Sequence, residues 1–360
     1  AYTTQSGGFK EIDGTGRDSG FTIQDYMGKL RYKTSAAARL YQEIELKTGY
    51  TDEISNETYL GLTQADFLAD PLRRYAGSQR DRMKSQHKQF QLTHYMEPMR
   101  GLAVTTTAYN LEFSRNWRRL QSVSAGGTTS AINAIVDSPG SLQAAYDIVR
   151  GAVDSAPGAL RVRQNERDYS VYGIQTAARY HTATGPVRHT VETGLRLHYD
   201  EEDRFQQEDS YQMLDGFMRL NSFGAQGSQA NRVGKASAAA GYVLNRMEWG
   251  PWALTPGVRY EYVDYTTDNY GGSDPSRTGS ALQTYHAVVQ GLIPGVGVEY
   301  ALNDSLTLLG GVHQGFAPPE APSSAVSADN AQEETSVNYE AGARYATPVL
   351  SIDAIGYSTA

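Results

Sequence analysis

Apolar and polar residues alternate one by one in many short segments of this chain. The clearest segment, residues 252–262, divides into two faces. The apolar face carries Trp252, Leu254, Pro256, Val258, Tyr260 and Tyr262, and the polar face carries Ala253, Thr255, Gly257, Arg259 and Glu261. A side-chain period of two predicts a strand. A packed core would have to neutralise the charges of the polar face, whereas a transmembrane barrel turns its apolar face to lipid and its polar face inward.

The alternation recurs along the chain and predicts an all-β fold, a transmembrane antiparallel up-and-down β-barrel. In residues 191–200, Leu195 and Leu197 are expected to face lipid. Arg196 and His198, which alternate with them, are expected to face the lumen. The predicted strands are 2–13, 21–34, 40–53, 86–96, 101–117, 168–181, 187–200, 233–247, 252–266, 285–301, 305–316, 335–346 and 349–358.

The connections between these strands are alternately short and long, as in outer-membrane barrels with periplasmic turns and extracellular loops. The short connections are 35–39, 97–100, 182–186, 248–251, 302–304 and 347–348. The long ones are 54–85, 118–167, 201–232, 267–284 and 317–334. Within the second long loop, Leu142, Tyr146, Val149 and Val153 have helical spacing and predict a short packing helix. Residues 222–231 and 320–332 have the composition of flexible loop tips.

Composition narrows the class further. The 25 tyrosines suit aromatic girdles at the membrane surfaces, and the absence of cysteine excludes disulfides and thiolate metal sites. A net charge of -8 argues against a general nucleic-acid binder. No stretch of about 18 apolar residues occurs, which excludes a helical membrane span. The sequence also lacks GxSxG, HExxH and P-loop motifs, so no enzymatic activity is expected.

Three stretches carry a family resemblance. They are Ser55 to Met83, SNETYLGLTQADFLADPLRRYAGSQRDRM, Thr105 to Trp117, TTTAYNLEFSRNW, and residues 310–320, GGVHQGFAPPE, followed by Glu333, Glu334 and SVNYEAGARY. Together they resemble the barrel region of TonB-dependent outer-membrane receptors of the ferric dicitrate or ferric siderophore type. The resemblance covers most of the chain and indicates a transporter class rather than a particular cargo.

This resemblance implies a barrel of 22 strands with an N-terminal plug domain, located in the outer membrane of a Gram-negative bacterium. Residues 1–360 would then form a partial barrel domain of about 13 strands, without the plug and the C-terminal strands. An odd strand number fits such a fragment, because single-chain bacterial barrels have even numbers. The resemblance also implies import of a ferric siderophore or ferric citrate, energised by the TonB–ExbB–ExbD complex, with no cofactor. Lipid and lipopolysaccharide are the other expected partners.

Ferric chelates of this kind are usually anionic, and guanidinium groups bind carboxylates in a bidentate manner. Arginines cluster in and beside the predicted outer loops. The predicted ligand-binding residues are Arg73, Arg74, Arg80, Arg115, Arg118, Gln79 and Tyr75, with Arg82, Arg119, Arg161, Arg163 and Arg167 nearby. Alternatively, these arginines bind lipopolysaccharide phosphates or pair with local acids such as Asp70 and Asp81.

Several other interpretations stay open. The inward charges Lys29, Arg31, Glu112, Arg179, Glu192, Arg196, Arg259, Glu261, Glu340 and Arg344 line a path or, more simply, form salt bridges. A passive porin-like channel is one alternative function, and a barrel enzyme or adhesin is another. A haem receptor is a third: GFAPP at 315–319 loosely resembles one of the two sequence boxes of haem receptors in this family, nothing matches the other, and His313 would be the candidate haem ligand. No histidine has metal-site spacing to a second ligand.

Overall fold

The computed structural model describes residues 2–15, 17–56 and 59–360, without the side chains of residues 17 and 18. The strands in this part of the chain are β1 Tyr2–Gly7, β2 Glu11–Ile12, β3 Arg17–Asp18, β4 Phe21–Lys33, β5 Tyr41–Ser55, β6 Arg73–Arg74, β7 Arg82–Met99, β8 Leu102–Ala125, β9 Thr128–Ala131, β10 Leu160–Thr184, β11 Val187–Leu214, β12 Phe217–Ser222, β13 Ala230–Trp249, β14 Trp252–Asn269, β15 Gln283–Ala301, β16 Leu306–Ala317, β17 Glu334–Ala346 and β18 Ser351–Thr359. The helices are α1 Gln64–Ala69, α2 Ile132–Asp137, α3 Gln143–Val149 and α4 Ala325–Asp329, with a 3₁₀ turn at Ala76–Ser78.

Thirteen of these strands form one antiparallel wall in the order β1-β4-β5-β7-β8-β10-β11-β13-β14-β15-β16-β17-β18. Every neighbour in the wall is the next long strand along the chain, which confirms the predicted up-and-down topology. β1 and β18 are the two edges of the wall, and β9 and β12 extend it at β8 and β11. A separate small sheet, β3-β2-β6, links the loop after β1 to the loop after β5.

The two faces of the wall follow the predicted alternation. Leu195 and Leu197 are 71% and 61% exposed, whereas Arg196 and His198 between and beside them are half-buried on the concave face. Midway along β10 and β11, Tyr172 stacks on Tyr199 of the neighbouring strand, with 4.8 Å between the ring centroids. Both rings lie on the outer face, where the tyrosine content predicts aromatic girdles.

The helix predicted in the second long loop is present as α3, and it does pack. Tyr146 and Val149 are buried, whereas Val153 lies beyond the helix end and is 46% exposed. These side chains belong to an apolar cluster above the membrane, here called the loop cluster, built from two loops and the ends of β8, β10 and β11. Its buried members are Leu60, Tyr75, Ala76, Leu120, Val123, Ile132, Ile135, Ala145, Tyr146, Ile148, Val149, Ala159, Leu160, Val162, Tyr211, Met213 and Met218.

Several predicted boundaries are wrong at the long-loop end. β8 continues to Ala125, β10 begins at Leu160 and β11 runs to Leu214, because beyond the membrane the loop cluster covers apolar residues such as Val162 and Tyr211. Outside lipid, a strand no longer needs an apolar outer face. The alternation of apolar and polar residues is therefore lost there, although the strands stay hydrogen-bonded to each other. The predicted first strand, 2–13, is also too long, since Glu11 and Ile12 pair in the small sheet.

The last long loop is more ordered than predicted. The segment 320–332, predicted as a loop tip, contains α4 with a capping box at Ser324. Pro322 is fully buried, and Ala321 packs on the inner face of the wall beside Ala236, Val263 and Tyr265. No helix in the described residues combines the length and the apolar character needed to cross a membrane.

Candidate functional site

Four arginines lie side by side across four neighbouring strands at the long-loop end of the wall. Arg115 of β8 is opposite Arg167 of β10, Arg167 is opposite Arg204 of β11, and Arg204 is opposite Arg232 of β13. We call these four residues the arginine row. Directly opposite side chains on one face lie about 5 Å apart at Cβ, and like charges placed in this way repel. The register of the wall therefore places four mutually repelling cations where a ligand of opposite charge would be stabilised.

The arginine row lies on the concave face, above the lipid-facing band. Arg204 continues the series of Arg196, His198 and Glu202, which alternates with the exposed Leu197 and its neighbours. Counting from the Tyr199 ring at the edge of the band, Arg204 is five residues further along β11, about 17 Å of strand. All four arginines are half-buried.

One carboxylate, that of Glu202, binds two members of the arginine row. It accepts hydrogen bonds from Arg167 Nη1 at 2.9 Å and from Arg204 Nε at 2.6 Å. Arg115 and Arg232, by contrast, have no side-chain hydrogen bond or ion pair among the described residues. The Nε atoms of Arg115 and Arg167 are buried and lack a partner there. The row thus keeps donors free for further acceptors.

The electrostatics of Arg232 reflect this arrangement. Burial and the neighbouring Arg204 lower the pKa of its guanidinium, and Glu202 and Glu320 only partly offset them. An uncompensated cation at a partly buried position is destabilising unless an anion approaches it. Arg232, like Arg115, therefore has no ion-paired carboxylate among the described residues.

A cavity of about 740 Å³ opens beside the row. Arg204 and Arg232 line it, together with Glu320 from the loop after β16. Thr267 also lines it and is 2% exposed, with no hydrogen-bond partner for its hydroxyl among the described residues. Small-molecule sites typically have volumes of about 300–1,000 Å³. The cavity has the size and the hydrogen-bond donors for a compact polar ligand, with the arginine row on one side of it.

Aromatic side chains follow directly below the arginine row on the same face. His87, Phe113 and Tyr169 occupy adjacent register positions, two residues nearer the membrane than the arginines. The ring centroids of Phe113 and Tyr169 are 5.7 Å apart, and those of His87 and Phe113 are 6.2 Å apart. The site thus combines a cationic row with an apolar aromatic floor.

The residues predicted from the first long loop lie elsewhere. Tyr75 is fully buried in the loop cluster, and its hydroxyl donates to Asp66 at 2.6 Å and accepts from the Thr63 amide at 2.9 Å. Burial raises the pKa of Tyr75. Arg73 pairs with Asp13 at 2.6 Å and with Asp66 at 3.4 Å. These contacts join the first two loops to each other.

Arg74, Gln79, Arg80 and Arg118 also bind parts of the protein. Arg74 donates to the carbonyl of Pro71 at 3.2 Å. Gln79 and Arg80 bind the backbone of the β11–β12 hairpin, at the carbonyls of Gly216 and Met218, with distances of 2.7 and 2.9 Å. Arg118 donates to the Tyr211 hydroxyl and lies 3.8 Å from the buried Asp209. The ligand-binding role of these residues stays a prediction, and of the seven only Arg115 belongs to the arginine row.

Two details of the arginine interpretation are wrong. Arg118, Arg161 and Arg167 lie in strands rather than in the predicted loop, because β8 and β10 extend beyond their predicted bounds, whereas Arg115 lies in β8 within the predicted strand. The expected acid partners also differ, since Asp13 and Asp66 pair with Arg73, whereas Asp81 is buried beneath the Leu120 amide. Arg119 instead lies over the rings of Tyr59 and Trp117, and Arg163 pairs with Glu208. Arg82 is exposed at the start of β7.

Most predicted lumen charges do form salt bridges across the inner face. The pairs are Lys29 with Glu45, Arg31 with Glu45, Arg179 with Glu192, Arg259 with Glu261 and Arg344 with Asp353. Glu112 lies on the outer face instead, 3.3 Å from Lys88, because Tyr109 and Phe113 occupy the inward positions of β8. Arg196 and Glu340 form no salt bridge among the described residues; Arg196 binds the Tyr109 hydroxyl at 3.2 Å. His313 is exposed on β16, and no three ligand side chains converge on a metal site in the described residues.

A wall with an apolar outer face, a charged concave face and long loops at one end defines an outer-membrane β-barrel. Residues 2–359 match the family model described as TonB dependent receptor-like, beta-barrel. The chain belongs to this family, whose members are located in the outer membrane of Gram-negative bacteria. No curated protein matches the chain in sequence.

Solved structures share the fold at low identity. The ferric citrate transporter FecA in its unliganded form superposes with a TM-score of 0.69 at 18% identity, over 94% of this chain and 43% of that one. The ferric-catecholate import receptor Fiu from E. coli K12 superposes with a TM-score of 0.68 at 12% identity, over 99% of this chain and 53% of that one. The siderophore receptor PiuA from Acinetobacter baumannii superposes with a TM-score of 0.69 at 10% identity, over 99% of this chain and 52% of that one. The chain spans about half the length of these proteins.

Proposed function

We propose that this chain is the wall of an outer-membrane receptor that imports a ferric chelate, either ferric citrate or a siderophore complex. The observation that carries the proposal is the arginine row with its two unpaired members, Arg115 and Arg232. Carboxylates of the chelate would accept charge-assisted hydrogen bonds from these guanidiniums. The names of the structural neighbours, which are transporters and receptors, support transport without bond chemistry.

The aromatic floor supports the same ligand class. Phe113 and Tyr169 offer apolar ring surface below the cations, so a chelate with an anionic rim and a less polar body is complementary to the site. Import against a gradient would draw its energy from the TonB–ExbB–ExbD complex, in keeping with the family. The predicted rim residues Arg73, Arg74 and Arg80 remain candidates for a first encounter with the ligand.

Radiolabelled iron uptake by iron-starved cells tests this proposal. Cells that lack the chromosomal receptor carry the complete protein, either unchanged or with Arg167→Gln, and receive ferric citrate, a ferric hydroxamate or a ferric catecholate. The matched control is Arg179→Gln, which lies on the same strand and face but is paired with Glu192 at 2.8 Å near the short-turn end. We expect uptake of one chelate to fall with Arg167→Gln and to persist with Arg179→Gln.

Energy coupling is tested in the same cells by deleting the TonB partner. Uptake that stops without the partner supports an energised receptor, whereas uptake that continues at an undiminished rate indicates a passive channel. Uptake of haem rather than any ferric chelate, lost with His313→Ala, would instead favour a haem receptor. If the Arg167→Gln protein takes up every chelate at the same rate as the unchanged protein, the role of the arginine row is refuted.

A further inference from the structure

Two side chains of opposite charge, Arg232 and Glu320, line the cavity beside the arginine row. Neither has a side-chain hydrogen bond or an ion pair within the described residues, and they do not pair with each other. Every other charged side chain in the lining has such a partner there, as Lys235 has in Asp268 at 3.0 Å. In the described part of the chain, the cavity therefore holds one unpaired guanidinium and one unpaired carboxylate.

The position of Glu320 is fixed by the segment that carries it. Residues 316–322, FAPPEAP, are here called the inner strap, and three of them are prolines, which restrict the backbone. The Pro322 side chain is fully buried, and Phe316 and Ala321 pack against apolar residues of the inner face of the wall. Because the inner strap is anchored on both sides of Glu320, the carboxylate is held at the cavity rather than on a freely moving loop.

Arg232 has a second polar group beside it, the hydroxyl of Thr267. Arg232 is directly opposite Asn269, and Thr267 lies two residues before Asn269 on the same face, so the two side chains are diagonal neighbours. Thr267 is 2% exposed, and its hydroxyl lacks a hydrogen-bond partner among the described residues. Gly234 is opposite Thr267, and a Cβ atom there would lie 3.7 Å from the hydroxyl oxygen, in space that the glycine leaves open.

These groups are unfavourable without a ligand. A buried hydroxyl and a partly buried charge are costly unless they are hydrogen-bonded. Burial and Arg204 lower the pKa of Arg232 and Glu320 acts in the opposite direction, so the Glu320 carboxylate lies within electrostatic range of Arg232. A purely anionic group would bind Arg232 but would be repelled by Glu320. A group that carries both charges is complementary to the whole arrangement.

We propose that this cavity binds a zwitterionic, amino-acid-like end group of the imported chelate. The carboxylate of this group would accept hydrogen bonds from Arg232 and Thr267, and its ammonium would donate to Glu320. The inference rests on the proposed function, and it narrows the imported ligand to a chelate with a free amino group beside a carboxylate. Ferric citrate, which has no amino group, would satisfy only the Arg232 side of the cavity.

Titration of the purified complete receptor with three synthetic ferric chelates tests the proposal. All three contain the iron-binding group that supports uptake in the cells described above, whether hydroxycarboxylate, hydroxamate or catecholate. The first has a free α-amino acid end group, the second has its amine acetylated, and the third has its carboxylate blocked as a methylamide. Tryptophan fluorescence measures the affinity of each chelate for the wild type, Glu320→Gln, Arg232→Gln and the control Asp329→Asn. Asp329 is an exposed acid of α4 in the same loop and does not line the cavity.

The loss of one charge-assisted hydrogen bond should weaken binding roughly 10- to 150-fold. We expect acetylation to cause this loss in the wild type and in Asp329→Asn, but to have little effect in Glu320→Gln. Blocking the carboxylate should likewise weaken binding to the wild type and have little effect in Arg232→Gln. Glu320→Asp, which keeps the charge, should restore part of the preference for the free amine. A purely structural role of Glu320 would not produce this dependence on the ligand's amine.

The outcomes separate this inference from the proposed function. Equal affinity of the wild type for the free and the acetylated chelate overturns the zwitterion assignment, although import of a ferric chelate stands. The same holds if Glu320→Gln changes the affinity for both chelates by the same factor, because Glu320 would then act only as a general charge. If no ferric chelate supports uptake in the cells, the proposed function fails and this inference fails with it.

Discussion

Replacing Arg232 by glutamine should make the unliganded receptor more stable while weakening its ligand affinity. Arg232 lies directly opposite Arg204, is half-buried, and has Asn269 rather than an acid on its other side. Burial and Arg204 lower the pKa of its guanidinium more than Glu202 and Glu320 raise it, so we expect its charge to be unfavourable in the unliganded receptor. Glutamine keeps hydrogen-bonding capacity and much of the side-chain length, but it removes the charge.

The magnitude follows from the geometry. Like charges directly opposite in an antiparallel pair cost about 0.2–1 kcal/mol. Arg232 has one such neighbour, so its removal should raise the free energy of unfolding of the empty receptor by about 0.5–1 kcal/mol. A charge-assisted hydrogen bond to the ligand is worth about 1.5–3 kcal/mol. The same variant should therefore bind an anionic chelate roughly 10- to 150-fold more weakly.

Two assays on the complete receptor in detergent measure these opposite effects. Denaturant unfolding followed by tryptophan fluorescence reports stability, and ligand titration reports affinity. The stability gain should shrink as salt rises from about 0.1 to about 1 M, where the Debye length falls from about 10 to about 3 Å. Arg179→Gln, which breaks a pair with Glu192, should lower stability by about 0–1 kcal/mol. If Arg232→Gln destabilises the empty receptor as much as this control does, or leaves affinity unchanged, the arginine row is not a strained anion site.

Three further changes concern the loop cluster, and proteolysis or amide exchange of the complete receptor can follow each. Tyr75→Phe removes the hydroxyl that binds Asp66, so it should loosen the first long loop by about 1–3 kcal/mol and speed its cleavage by trypsin. Met213→Ala opens a cavity at a fully buried position and should lower the free energy of unfolding by about 2–5 kcal/mol. The dependence of this free energy on denaturant concentration, the m value, should not change. Burial raises the pKa of Asp81 to about 7. As the pH rises from about 4 to about 7, the free energy of loop opening in the wild type, measured by amide exchange, should therefore decrease by at most about 4 kcal/mol, and above about pH 7 it should stay constant. Asp81→Asn should abolish this pH dependence, and a dependence that persists would assign it to another group.

The sign of the Asp81 effect follows from its protonation in the two states. In the folded chain the carboxyl keeps its proton up to about pH 7, whereas in the unfolded chain it loses the proton near pH 4. Between these values the folded state binds more protons, so stability decreases as the pH rises. Asparagine cannot ionise, and its side-chain oxygen can still accept from the Leu120 amide.

The membrane-spanning part of the wall was predictable because lipid imposes the same rule on every strand. Leu195 and Leu197 face outward and Arg196 faces inward, as the alternation indicates. Above the membrane this rule no longer holds, and apolar residues such as Val162 and Tyr211 are buried by loops instead. The alternation therefore does not predict the extensions of β8, β10 and β11.

The arginine row shows what register adds to a sequence pattern. The tight turn at Gly185, where φ is +57°, fixes the pairing of β10 with β11, so counting outward from it places Arg167 opposite Arg204. The other two contacts cannot be found in this way. Arg115 and Arg232 lie on strands joined to the row through long loops, and loop length does not determine register. Only the folded wall brings all four together.

The predicted loop arginines illustrate the converse case. Arg73 and Arg80 cluster in sequence, which suggested a common ligand, but each has a partner within the protein. Clustering along the chain reports local composition, whereas the direction of each side chain depends on what the loops pack against. Arg73 binds Asp13 of the preceding loop, a contact that no local pattern reveals.

The structure of the complete receptor with a bound ferric chelate would test the role of the arginine row most directly. We expect acceptor oxygens of the chelate at about 2.7–2.9 Å from guanidinium nitrogens of at least two of Arg115, Arg167, Arg204 and Arg232. A chelate held by Arg73, Arg74 and Arg80 with the row untouched would contradict this assignment.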